Sequence, residues 1–166
     1  MARTGSLQQV APVPSTVEVL LFSEADGLLR FRAVRERLDP ATHPDDLARG
    51  LSGLTACTPG AALHSTSWRY ADAGVVLTYA ALPDPRPWDT RPVELDAMVT
   101  GAGPLSPSPA AVDLGAVAAH ACRHLALLVT TDDDVALAAR ELPNVWDLVT
   151  KLPPTVAGGI PVPALR

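Results

Sequence analysis

Residues 16–22 (TVEVLLF) form a nearly continuous apolar run rich in β-branched side chains, which predicts a buried strand. Glu24-Ala25-Asp26-Gly27 predicts a turn, and residues 28–37 (LLRFRAVRER) a returning strand whose Arg30, Arg32 and Arg35 do not all share one face. Residues 45–54 place Leu47, Leu51 and Leu54 at helical spacing, with Thr42 or Pro44-Asp45 at the start; Gly50 and Gly53 weaken this short helix.

The chain is organised around residues 63–82, LHSTSWRYADAGVVLTYAAL, read as two strands joined at Ala71-Asp72-Ala73-Gly74. Gly74 is expected to supply the positive φ of the turn. That turn pairs Tyr70 with Val75, Trp68 with Leu77, Thr66 with Tyr79 and His64 with Ala81. Alternation then puts these eight on one aromatic face, with Ser65, Ser67 and Arg69 on the other. A slip of one residue would exchange the faces.

Residues 83–92 (PDPRPWDTRP) read as a rigid connector, 93–99 as a short element of either type, and 101–109 as a loop. Residues 110–130 are the strongest helical pattern. Leu114, Val117, Ala118, Ala121, Leu125 and Leu128 form an apolar stripe, beside a polar one of Asp113, His120, Arg123 and His124. Thr131-Asp132 is placed to cap a further helix through Leu142, and Asn144 to cap a last turn or two through Leu152. The expectation is an α+β domain over 16–152, with a mixed or antiparallel sheet built from two hairpins under a layer of two to three helices. Residues 1–15 and 153–166, rich in proline and glycine, are expected to be tails.

Composition narrows the function. Net charge is -5, which argues against non-specific binding to nucleic acid or anionic membranes. Cys57 and Cys122 do not make a disulfide framework, no apolar leader opens the chain, and the most apolar helix is interrupted by His120, Arg123 and His124. A cytoplasmic location follows as the expectation.

The order of elements, with DDLARGLSGLTACTPGAALHSTSWRYADAGVVLTYAAL as helix, loop and hairpin, resembles a Nudix domain over residues 16–130. The Nudix box holds magnesium through an Arg-Glu followed by a Glu-Glu pair on one helix. Here Asp45 and Asp46 open the corresponding stretch, and no acid follows through Gly60. A hard cation needs several oxygen ligands. The resemblance therefore implies the scaffold without diphosphate hydrolysis by the usual route, and no catalytic residue carries over.

Other chemistry is thinly supported. His120 and His124 stand four apart, as metal-binding pairs do, but the metalloprotease Glu after the first His is Ala121. No metal is assigned, and the pair equally suits a solvated or packed helix face. His64-Ser65-Thr66 is half of a two-histidine phosphoesterase signature with no second copy. Ser65 or Ser67 with a histidine and Asp113 lacks a nucleophile elbow. Trp68 and Tyr70 could stack on a planar ligand or fill a core.

The leading expectation is a domain that binds a small molecule, a phosphorylated ligand among the candidates, or a regulatory domain, with a pocket between the hairpin and the long helix. His64, Thr66, Trp68, Arg69, His120, Arg123 and His124 are its candidate residues. The alternatives are a protein–protein interaction module or homo-oligomer using the segment around Trp88 and the proline-rich ends, and a divergent hydrolase using His64, His120 and His124. The cofactor is left unknown.

Overall fold

The computed structural model describes residues 13–97, 99, 101, 103, 105, 106, 108, 109 and 111–155. Its strands are β1 (Ser15–Ala25), β2 (Leu28–Arg37), β3 (Ala62–Ala71), β4 (Gly74–Leu82) and the short β5 (Arg91–Pro92). Its helices are α1 (Pro44–Ser52), α2 (Leu114–Thr131), α3 (Asp133–Glu141) and α4 (Pro143–Thr150). The strands form one sheet in the order β3-β4-β1-β2-β5. β1 runs parallel to β4 and antiparallel to β2, so the sheet is mixed and the fold is α+β.

β1 is central because its sequence is apolar on both faces. Val17, Val19 and Leu21 pack with Tyr79, Ala81 and Ala48 of α1. Leu20 and Phe22 join Phe31, Ala80 and Leu82 under α2 and α4, where Ala118, Cys122, Leu125, Trp146 and Val149 close the larger core. α3 has no fully buried residue but lays Val135, Ala138 and Ala139 against that core. Helices thus cover both faces, α1 on one and α2–α4 on the other, where a single layer was expected. α2 has the length and apolarity of a membrane span. In this fold its alanines allow close approach to the sheet.

The two hairpins turn on paired left-handed residues. Asp26 and Gly27 have φ of 55° and 72°, and Glu24 accepts the Gly27 amide at 2.8 Å. In the second hairpin the left-handed pair is Asp72 and Ala73, at 54° and 58°. This corrects the expectation for Gly74. That glycine instead admits the backbone of Pro14, whose carbonyl oxygen would lie 2.4 Å from an added Cβ and accepts the Val75 amide at 2.9 Å. Pro14 and Ser15, expected in a tail, therefore already belong to the sheet. Most of both expected tails, residues 1–12 and 156–166, lies outside the described residues.

Tyr70 pairs with Val75 and Trp68 with Leu77, as the turn predicts. A β-bulge then breaks the register between Ser65 and Ser67. Ser65 takes Tyr79, His64 takes Ala80, and Thr66 has no partner. The expected pairs of Thr66 with Tyr79 and His64 with Ala81 are corrected. So is the shared face: the bulge returns His64 to the side of Ser67 and Arg69, opposite Trp68 and Tyr70.

Helix starts follow side-chain chemistry, not always at the residues expected. His43 Nδ1, rather than Thr42, accepts the Asp45 amide at 3.2 Å to start α1. Asp113 caps α2 by accepting from the Ala116 amide at 2.8 Å. α4 begins with Pro143 after a sharp corner at Leu142, not with Asn144 as its cap. The proline-rich connector is tied to β2: Arg32 grips Asp84 with two hydrogen bonds of 2.6 and 2.8 Å, and Arg30 holds Thr90. Residues 93–97 form neither strand nor helix.

Candidate functional site

β3 carries four of the candidate residues, and its two faces lead to different surroundings. On the α2 side, His64 meets His124 with ring centroids 5.3 Å apart and ring planes tilted by 35°. His120, one helical turn earlier, is close enough to disfavour a charge on His124. Arg123 donates to the Leu95 carbonyl at 2.7 Å and disfavours a charge on His120. The structure therefore brings His64, His120, Arg123 and His124 together. The two rings meet in the space where a pocket was expected.

This cluster is electrostatically unusual because its members are all bases. Burial, then the charges of His64 and His120, lower the His124 pKa, against a backbone hydrogen bond to Thr155 that raises it. Burial, then Arg123, lowers that of His120. Both are held as neutral imidazoles around pH 7. His124 Nδ1 and Arg123 Nε are buried without a hydrogen-bond partner. Among the described residues, no group of three His, Cys, Asp or Glu side chains is placed to hold a metal ion. Cys57 is exposed and Cys122 buried.

Arg69 goes elsewhere. It points with Ser67 toward the middle of the sheet, where Glu18 of β1 is wholly buried. Arg69 donates to both Glu18 oxygens at 2.8 and 3.0 Å and to Thr78 at 2.9 Å; Arg35 grips the same carboxylate from β2. Burial would raise the Glu18 pKa, but hydrogen bonding and charge from Arg69, then Arg35, outweigh it and hold it low. The carboxylate ties four strands together, β1 to β4, because Thr78 of β4 also donates to it at 3.2 Å. Sequence reasoning missed it, although an acid inside the apolar run TVEVLLF was a signal that an arginine must meet it.

Thr66 is the bulge residue; it is buried and donates to the Thr78 carbonyl at 3.2 Å. Trp68 and Tyr70 stand on the α1 side, 66% and 70% exposed. Neither fills a core, which corrects the packing expectation for them; their expected neighbour Tyr79 is buried and donates to Asp45. Partly buried Val75 and Leu77 of β4 lie beside them. β3 is also the terminal strand of the sheet, and among the described residues nothing pairs with its outer side. Trp88, expected in a contact segment, is equally exposed and lies 5.7 Å beneath the Arg32 guanidinium.

The acids of α1 have protein partners. Asp45 accepts from Tyr79, and Asp46 pairs with Arg49 at 2.7 Å. An open hollow of about 380 Å³ lies between the α1–β3 loop and α3, lined in part by Arg49, Thr58, Leu63, Leu137 and Glu141. It is separate from the histidine cluster, and no candidate residue lines it. No protein-family model matches this chain, and no curated protein or solved structure matches it.

Proposed function

We propose that this protein is a protein–protein interaction module that takes an extended segment of a partner as an added strand beside β3. The observation that carries this reading is the pairing of an open strand edge with two exposed aromatics, Trp68 and Tyr70, on the same strand. An open edge offers a row of unpaired amides and carbonyls to an incoming chain, and alternate side chains supply the specificity. Natural edges are guarded by lysine, proline, bulges or inward-pointing charge; β3 has no lysine or proline, and its bulge at Thr66 lies before Trp68 and Tyr70. Its one arginine is turned inward to Glu18. Trp and Tyr are the residues that dominate contact energies.

The Nudix-like scaffold remains part of this proposal, without Nudix catalysis. Its support is that Asp45 and Asp46 are committed to Tyr79 and Arg49. The test is selection from a library of twelve-residue displayed peptides. Enriched peptides are expected to bind the native protein and to lose about thirtyfold or more for Trp68→Ser or Tyr70→Ser, the scale of an aromatic hot spot of about 2 kcal/mol. Peptides that bind both variants as well as the native protein would remove the reading.

A second reading keeps a small anionic ligand at the histidine cluster. It is favoured by the unused donor at Arg123 Nε. Thermal stabilisation by inorganic phosphate or a nucleotide, lost in Arg123→Ala with the fold intact, is its signature.

A further inference from the structure

We propose that the His64–His124 contact is an acid-released latch, holding the start of β3 and the chain at Thr155 against α2 at neutral pH and letting go as the imidazoles charge. That release would alter the β3 edge rests on the interaction reading; the latch itself does not.

The geometry assembles three independent tethers at one point. His64 comes from the edge strand and His124 from α2, and their rings are in contact. The backbone at Thr155 is bound twice: its amide donates to the Arg123 carbonyl at 3.2 Å, and it hydrogen-bonds the His124 ring. Nδ1 of His124 has no partner, so the bond to Thr155 is made through Nε2. Since that bond favours the protonated ring, the Thr155 carbonyl is its acceptor. Nδ1 is then the bare lone pair, and a proton arriving there finds no acceptor.

The charges that set the His124 shift oppose that proton, and the charged groups of α3, Asp133, Asp134, Arg140 and Glu141, are all exposed. From β3 the facing group is His64; from α2 they are His120 and, beyond it, Arg123. Arg69, on the same face of β3, is committed to Glu18. The loop that accepts from Arg123 at Leu95 carries Glu94 and Asp96, both exposed. α4, packed on the same helix, offers only the exposed Asp147 and Lys151 near its end. No carboxylate is among the charges that set the shift of either helix histidine.

The sign follows. Closed, His124 and His120 resist protonation; opened to water, they protonate near the ordinary value of about 6.5. The open form therefore binds more protons below that pH, and closure loses stability as pH falls through it.

Amide hydrogen exchange at pH 7.5 and 5.5, each rate divided by its intrinsic value, tests this on the whole chain without any partner. Protection of the amides of His64 and Thr155 is expected to fall about tenfold or more at pH 5.5, the effect of one proton taken up over about one pH unit. In His124→Phe, which keeps a ring but cannot charge, that fall should shrink to the part due to His120; His64→Phe should also reduce it. Unchanged protection in the native protein at pH 5.5 overturns the latch. So does an equal fall in His124→Phe, which would place the acid-sensitive group elsewhere. Because exchange reads the contact directly, either result leaves the peptide test of the β3 edge standing on its own.

Discussion

Glu18 shows what a single residue does to this sheet. A wholly buried carboxylate would be costly alone, and it persists because Arg69, Arg35 and Thr78 all donate to it. Glu18→Gln removes the charge and leaves both arginines without their partner; a loss of about 3 kcal/mol in urea unfolding at pH 7 is expected. Its pKa is lowered by folding, so its stabilisation is fully present above the unfolded value of about 4.3 and disappears as pH falls through the folded value. The native and Glu18→Gln proteins should accordingly converge in stability as pH falls through that lowered value. Ala73 is the opposite case, a residue where the backbone is held against its preference at a φ of 58°. Ala73→Gly should stabilise by about 1 kcal/mol, read as a higher urea midpoint with unchanged slope.

Among elements, β3 shows what was legible and what was not. The β3–β4 hairpin, its turn position and the pairs nearest the turn follow from aromatic and β-branched residues around Asp72. The bulge does not, because nothing in His64-Ser65-Thr66-Ser67 distinguishes a regular strand from one with an extra residue. That one residue decided which candidates could meet. It placed His64 against His124 and left Trp68 and Tyr70 on the far side, so the expected single site became two. The polar stripe of α2 was legible from spacing; the identity of its cross-strand partner was not. Deleting Thr66 should tighten β3 into regular pairing while keeping His64 on the α2 side. The expected cost is about 1 kcal/mol for the lost bond to Thr78, with the His64–His124 contact retained in ring-current shifts. In an unbulged strand the same deletion would flip every residue beyond it.

At the scale of the molecule, the sheet is covered by helices on both faces and closed at one edge by Arg91–Pro92, leaving β3 open at the other among the described residues. The parallel pairing of β1 with β4 creates that open edge, because it turns the second hairpin outward. Hydrophobic patterning specifies which strands are buried but not which neighbours they choose, so the edge was invisible in the sequence. In the proposed strand addition, the exposed aromatics Trp68 and Tyr70 would meet the incoming chain. Acid should act on the whole molecule in two separable steps, first at His120 and His124 as pH falls below their ordinary value of about 6.5, and then at Glu18 below the ordinary carboxylate range.

The most direct test is the amide spectrum of the protein with a library-selected peptide bound. Strand addition predicts that the outward β3 amides, those not bonded to β4, gain exchange protection while the Trp68 and Tyr70 side-chain signals shift. Protection confined to other elements, with the β3 edge exchanging as in the free protein, would contradict the account.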